Sequence, residues 1–202
     1  NAALGRGALG SNTTAANNTA VGMEAMSANT TGSLNVAIGR LALSSSTTGE
    51  ANTAVGYQAG KALTTAGSCV FIGHNAGLSN TTGVRNTFMG QAAGINITTG
   101  NDNIFIGEGT GYPAQTPNSN TVVGSLASRS LTTGAMNTAV GYNSLYTNTT
   151  GSENAGVGIS SLYYVTTGIR NAAVGGLAGY KVTTGHSNTF LGFYAGGYGT
   201  SC

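Results

Sequence analysis

The chain carries very little charge. Lys, Arg, Asp and Glu make up 6% of its 202 residues, and the formal net charge is +2. Globular proteins usually devote about a quarter of their residues to charged side chains. The few basic residues are scattered, so the chain lacks the concentrated positive patch by which proteins bind nucleic acid. Thr, Asn, Ser and Gly supply the polarity instead, and such a surface favours side-by-side packing of chains.

Proline and long apolar segments are also scarce. The chain has 2 Pro beside 34 Gly, a composition that excludes proline-rich linkers, and it has no three-residue collagen period. No apolar run approaches the roughly 18–20 residues that a membrane-spanning helix needs. The sequence begins at Asn1, inside its repeating pattern and without a signal peptide. We therefore expect a segment of a longer protein, with no membrane insertion.

Cysteine occurs twice, as Cys69 and Cys202. In a stack of coils spaced about 4.8 Å apart, these residues would be separated by roughly 35–40 Å. A disulfide requires Cα atoms about 6 Å apart, so the two cysteines cannot bridge within one chain. We expect Cys69 to be a small buried residue, and Cys202 to be either free or paired between chains.

What the chain has in abundance is repetition. A pentapeptide similar to Asn-Thr-Ala-Val-Gly returns every 17 residues without an insertion. A short fixed period is typical of a solenoid, in which each repeat is one coil that needs its neighbours to bury its apolar face. The sequence therefore predicts one domain over residues 1–202, an all-β parallel β-solenoid (β-roll) about 55–60 Å long. Its twelve coils begin at Asn1, Asn18, Asn35, Asn52, Cys69, Asn86, Asn103, Asn120, Asn137, Asn154, Asn171 and Asn188.

Two columns of the repeat, counted from its first residue, indicate short strands. Position four is always Val, Ile, Leu or Met, and position five is always Gly. Runs of β-branched residues interrupted by Gly are typical of strands joined by tight turns, whereas each Gly would cost a helix about 1 kcal/mol. The Gly column predicts a positive φ or a close approach of backbones. It comprises Gly5, Gly22, Gly39, Gly56, Gly73, Gly90, Gly107, Gly124, Gly141, Gly158, Gly175 and Gly192.

Three further columns suggest how the coil closes and what fills it. Positions thirteen to fifteen are mostly Thr-Thr-Gly, which predicts a strand end and a turn with Gly in the left-handed conformation. We expect the interior to contain the aliphatic residue of position four, one larger shared residue and the Ala that predominates at position eight. Because such a thin core stabilises a single chain only marginally, we expect oligomerisation to add to its stability.

The first position is Asn in eleven of the twelve coils. Stacked Asn amides can hydrogen-bond from coil to coil as a ladder and tolerate the neighbouring turn. Contact with a ligand is the alternative, but a feature that recurs in almost every coil favours the structural role. The predicted ladder consists of Asn18, Asn35, Asn52, Asn86, Asn103, Asn120, Asn137, Asn154, Asn171 and Asn188.

Side-chain size varies jointly at position nine of one coil and position three of the next. A small residue at one position accompanies a large one at the other, as close packing at constant volume requires. We therefore predict that the two positions share one core site between adjacent coils. The clearest pairs are Gly60 with Phe71, Gly77 with Phe88, Gly94 with Phe105, and Leu145 with Gly156.

The last position of the repeat offers a check on the register. Arg85 and Asp102 occupy it in consecutive coils, as do Glu153 and Arg170. In-register stacking predicts that each pair forms a surface rung about 5 Å wide. Exposed ion pairs contribute about 0–1 kcal/mol, so these pairs would report the register more than they stabilise the fold.

Residues 18–25 (NTAVGMEA), 52–59 (NTAVGYQA) and 137–144 (NTAVGYNS) carry a family resemblance. They resemble the head repeats of YadA-like trimeric autotransporter adhesins, in which a Ser-Val-Ala-Ile-Gly-type motif precedes a small residue and a Gly-containing turn. The 17-residue period is longer than that family's, and the additional residues fall around Thr-Thr-Gly. The arrays also look like segments of phage and bacterial fibres.

The resemblance implies a left-handed β-roll and a homotrimer, located outside the cell, on its surface or on a virion. The function it implies is structural: the rod or stalk of an adhesin, a tail fibre or a filament subunit. The partner is then the chain itself, as a homotrimer or an end-to-end filament. A cell-surface glycan or receptor is a further candidate partner.

The titratable residues predict neither catalysis nor a metal site. The five acidic residues show no spacing typical of an acid–base pair. His74 and His186 lie about six coils apart, too far to share a metal or a nucleophile. We expect no enzymatic activity and no cofactor.

Two surface features leave alternatives open. Tyr146, Tyr163 and Tyr180 share position ten of three consecutive coils. They predict either a stacked ladder closing a chain–chain interface or a stripe that binds carbohydrate or a receptor from the side. The threonines raise ice binding as another possibility. Adjacent Thr residues in a strand point to opposite faces, which is an obstacle to a flat array.

Overall fold

The computed structural model describes residues 1–113 and 115–197, so Cys202 lies outside the described residues. Each coil contributes one three-residue strand at positions two to four. Over the described residues there is no helix, and hence none that could cross a membrane. The strands are β1 Ala2–Leu4, β2 Thr19–Val21, β3 Val36–Ile38, β4 Thr53–Val55, β5 Val70–Ile72, β6 Thr87–Met89, β7 Ile104–Ile106, β8 Thr121–Val123, β9 Thr138–Val140, β10 Ala155–Val157, β11 Ala172–Val174 and β12 Thr189–Leu191.

All twelve strands form one parallel sheet in sequence order, β1 to β12. Each strand residue pairs with the residue 17 positions later, as Thr19 does with Val36 and Ala20 with Ala37. The sequence period is therefore the length of one coil. The prediction of an all-β parallel β-solenoid with 17-residue coils is confirmed.

The interior is a narrow column of small and medium side chains. Position three, the middle residue of each strand, is buried in all coils but the first, and positions eight, nine and twelve supply most of the rest. Phe71, Phe88 and Phe105 are fully buried and stack on one another, with ring centroids 5.4 Å apart at each step. Neighbouring coils thus bury one another's apolar residues, as a solenoid requires.

The aliphatic side chains of position four do not lie in this core. Ile38 is 40% exposed and Val174 is 48% exposed, whereas the sequence-based expectation placed the column inside. Successive strand residues point to opposite faces. Because position three points inward, positions two and four both point outward. The size correlation with position nine already identified position three as the inward residue, and that signal could have placed its neighbours correctly.

The Gly of position five is required by both its conformation and its surroundings. Gly107 has a φ of +133°, in a region that residues with a Cβ rarely adopt. A Cβ added there would lie 2.7 Å from the carbonyl carbon of Gly124 in the next coil. Consecutive coils therefore approach too closely at this column for any side chain.

The Gly of Thr-Thr-Gly has a different role from the one expected. Gly151 does not have a positive φ, but a Cβ added to it would collide with the carbonyl oxygen of Gly168 in the next coil. The left-handed residue comes two positions later, where Glu153 has a φ of +58°. Close approach between coils, and not turn conformation, explains the glycine at position fifteen.

Positions nine and three meet in the core. A Cβ on Gly60 would lie 2.5 Å from Cδ2 of Phe71, and one on Gly156 would lie 2.7 Å from Cδ1 of Leu145. The phenyl rings also contact the glycine of their own coil: a Cβ on Gly77 would lie 2.5 Å from Cδ1 of Phe71. Each of these rings therefore occupies space that a larger residue at position nine would need. Gly94 has the same relation to Phe88, and Gly111 to Phe105.

The two predicted surface rungs differ. Arg85 and Asp102 form a two-pronged ion pair, with Nη2 donating to Oδ2 at 2.9 Å and Nε donating to Oδ1. The hydrogen bond from Arg85 lowers the pKa of Asp102 below its usual value. The described residues include no corresponding ion pair between Glu153 and Arg170. An exposed ion pair contributes too little free energy to fix two long side chains, so stacking in register does not by itself make them pair.

Candidate interaction surfaces

The Asn column is a buried ladder with no free face. Asn35 donates its backbone N–H to Oδ1 of Asn18 at 2.9 Å and its Nδ2 to the carbonyl of Gly49 at 2.8 Å. Asn52 repeats this arrangement on Asn35, and both residues are fully buried. The amides therefore join each coil to the previous one and close each coil on itself, and they are not placed to contact a ligand.

Cys69 interrupts this ladder. Its backbone N–H still donates to Oδ1 of Asn52, and its thiol lies 3.3 Å from the carbonyl oxygen of Gly83. The side chain has no amide oxygen to offer Asn86 in the next coil. Burial raises the pKa of the Cys69 thiol above its ordinary value, which keeps it in the unreactive neutral form.

One apolar surface is the outer sheet face, which we define as positions two and four of the twelve strands. Its exposed side chains include Met89 at 36% and Val157 at 37% in the middle of the sheet. None of its residues is charged. A continuous column of half-buried to exposed aliphatic side chains, one from each coil, thus contacts water. Exposed apolar columns of this kind are typical of interaction surfaces.

The borders of this face carry further exposed apolar side chains at positions six and seventeen. Leu34 and Met136 are each 58% exposed at position seventeen, and Ile159 is 55% exposed at position six. Tyr57, also at position six, is 38% exposed and stacks on His74 of the next coil with ring centroids 5.2 Å apart. The apolar surface is therefore wider than the strands themselves in several coils.

A second surface is the tyrosine cluster, defined as Tyr146, Tyr163, Tyr164 and Tyr180. The rings of Tyr146 and Tyr163 are parallel within 4°, with centroids 5.0 Å apart, and Tyr180 continues the stack at 5.2 Å. Tyr164 contacts Tyr163 and Tyr180 edge-on. Most of the ring faces are thus covered by neighbouring rings, which leaves little aromatic face for a sugar to stack on.

The threonines of positions thirteen and fourteen form two columns with different surroundings. At position thirteen the hydroxyl is used internally, as when Oγ1 of Thr30 donates to the carbonyl of Thr47 at 3.1 Å. At position fourteen the side chains are exposed, as at Thr31, Thr99 and Thr167. The exposed threonines of position fourteen thus form a column one residue wide, separate from the six threonines at position two of the strands.

The titratable residues remain dispersed. His74 and His186 lie at different positions of coils five and eleven, and the imidazole Nδ1 of His186 accepts a hydrogen bond from the backbone of Ile169. Within residues 1–113 and 115–197, no group of three or more His, Cys, Asp or Glu side chains is placed to hold a metal ion. No protein-family model, curated protein or solved structure matches the chain.

Proposed function

We propose that this chain is a structural, non-enzymatic segment of a fibre outside the cell or on a virion, which assembles with itself as a homotrimer or filament. The observation that carries the proposal is the unbroken parallel sheet, in which each of twelve strands pairs in the same register with the next. A regular stack of this kind is a rod, and a rod spaces or presents whatever lies at its ends.

The internal bonding suits a load-bearing rod. The Asn ladder adds side-chain hydrogen bonds between coils to those of the sheet, and it lies inside the chain where water does not compete. The resemblance to YadA-like adhesin heads and to phage or bacterial fibres points in the same direction. Left-handed coiling and a trimeric state belong to the proposal.

Side-on binding of carbohydrate or a receptor is less well supported, because the tyrosine rings cover one another. Their stacking instead favours a structural role, in which the cluster strengthens coils nine to eleven. Its exposed edge is formed mainly by Tyr164, which is 43% exposed.

Negative-stain electron microscopy combined with light scattering tests the proposal. We expect short rods about 55–60 Å long, from twelve coils at the strand spacing. A mass of three times 19.9 kDa would support the trimer, and open-ended polymers would support the filament. Compact particles without an elongated form would rule out the rod.

A further inference from the structure

We propose that the outer sheet face is the surface through which copies of this chain pack against one another. The occupant is a second copy of the chain. The inference rests on the proposed function, because it names the surface by which the self-assembling rod assembles.

Position four contributes little to the folded single chain. Its side chains point away from the core, and the buried core cluster includes none of them. Position two, which also points outward, is Thr in six of the twelve coils. A strand facing water therefore forms here without an aliphatic residue. Position four is Val, Ile, Leu or Met in all twelve coils, which is explained if the column is covered in the assembled state.

The charged residues of the chain lie outside the outer sheet face. The chain has 7 basic and 5 acidic residues, 12 in all, and none of them lies at position two or four. They fall in other columns, such as Arg40 at position six and Lys61 at position ten. A face without charged residues cannot form ion pairs with a charged partner. The cores of protein–protein interfaces are likewise depleted of charged residues.

The area of the outer sheet face matches that of a stable interface. Twelve strands spaced about 4.8 Å apart extend for about 58 Å, and five extended residues, the strand and one on each side, span about 16 Å. The product is a face of about 900 Å². A stable interface buries about 800 Å² on each partner, so the face is large enough to hold two copies together.

Periodicity selects the second copy over an unrelated protein. A partner must present matching side chains at every strand spacing along the whole sheet, and the same face of another copy has that spacing. Each coil then meets an equivalent coil at every level. In a closed homo-oligomer the symmetry gives every copy the same contacts, so one face can serve all of its members.

The decisive variant combines Met89→Glu with Val157→Glu, which places two carboxylates on the outer sheet face. Both side chains already contact water in the single chain, so folding should be retained, whereas a buried interface would have to desolvate the charges. We expect association to weaken at least tenfold and the mass in light scattering to fall to 19.9 kDa. The matched control is Thr99→Glu with Thr167→Glu, two exposed position-fourteen residues of the same coils, which should leave the mass unchanged.

A second measurement does not depend on a disruptive charge. A photoreactive benzophenone residue in place of Met89 should cross-link two copies on illumination, and the same residue in place of Thr99 should not. Unchanged mass in the double Glu variant, or equal cross-linking from both sites, would overturn the interface while leaving the rod intact. Rods that are monomeric before any substitution would also overturn the interface, whereas the absence of rods would overturn the proposed function itself.

Discussion

At the scale of single residues, the structure shows which polar groups lack a partner in the buried interior. The Asn ladder is satisfied wherever Asn follows Asn, and it fails where Cys69 stands in its place. The backbone N–H of Asn86 has no amide oxygen in the preceding coil to donate to, and it meets only the sulfur of Cys69. Sulfur is a weak acceptor, and a poorly paired buried donor costs about 1–3 kcal/mol, so one substitution at this site has a measurable consequence.

Cys69→Asn should stabilise the solenoid. The new amide would accept the N–H of Asn86 and donate to the carbonyl of Gly83, as Asn52 does with Ala66 at 2.9 Å. We expect a gain of about 1–2 kcal/mol and a thermal midpoint about 2–8 °C higher, measured by circular dichroism. Cys69→Ala is the control and should lower the midpoint, because it supplies no hydrogen bond and leaves a cavity. An Asn variant no more stable than the natural chain would contradict the ladder's energetic role.

Asn80 is a second unsatisfied residue. Both of its side-chain polar atoms are buried without a hydrogen-bond partner among the described residues, and its counterparts in the adjacent coils are Leu63 and Ile97. Asn80→Leu should therefore raise the stability by about 1–3 kcal/mol. Asn29→Leu is the contrasting variant, because Nδ2 of Asn29 donates to the carbonyl of Gly32 at 2.9 Å and only its Oδ1 lacks a partner. It should be destabilising in the same urea titration, and a similar response from both variants would argue against this account.

At the scale of the coil, the core depends on matched volumes. Gly60→Leu should destabilise the chain by overlapping with Phe71, and Phe71→Ala should cost about 3–5 kcal/mol through the cavity it leaves. The combined variant recreates the pairing seen at Leu43 and Ala54 in the preceding step. We expect a favourable coupling free energy of about 1–3 kcal/mol in a double-mutant cycle of urea unfolding. Additive effects would show that the two positions do not share a site.

The tyrosine cluster makes coils nine to eleven sensitive to alkaline pH. Burial raises the pKa of Tyr163, and the hydrogen bond with Tyr164 raises that of Tyr180. Above about pH 10 the unfolded chain loses protons that the folded chain retains, so the free energy of unfolding falls as the pH rises.

Thermal melts between pH 8 and 11 test this expectation. The combined variant Tyr163→Phe with Tyr180→Phe should show a smaller loss of midpoint over that range than the natural chain. An unchanged slope in the double variant would mean that the cluster does not govern the alkaline response.

The fold and the surfaces differ in how far the sequence predicts them. Because the chain repeats, its twelve coils can be aligned with one another. That alignment predicts the coil length, the parallel register and the inward pairing of positions such as Gly60 and Phe71. The sequence-based prediction for position four is wrong, because an aliphatic residue in every coil is equally typical of a column of core residues. Only the alternation along a three-residue strand distinguishes the two, and the strand bounds come from the structure.

At the scale of the whole molecule, a solenoid is a sum of coils and nearest-neighbour contacts, so coil number can change without changing the fold. Deleting residues 39–55 removes 17 residues and joins Ile38 directly to Gly56. The hybrid coil keeps the size matches on both sides, with Ala37 beside Met26 and Gly60 beside Phe71. We expect a folded rod about 4.8 Å shorter than the natural one, measured by small-angle X-ray scattering.

Deleting residues 39–54 is the matched control, because it removes 16 residues from the same starting point. It leaves Val55 as an additional residue between Ile38 and Gly56, which shifts inward and outward side chains by one in that strand. The extra residue also separates the close-packed Gly column from its neighbours. This variant should lose several degrees of thermal midpoint relative to the 17-residue deletion, although it retains more of the chain. If both deletions were equally stable, the fixed period would not be what holds the coils in register.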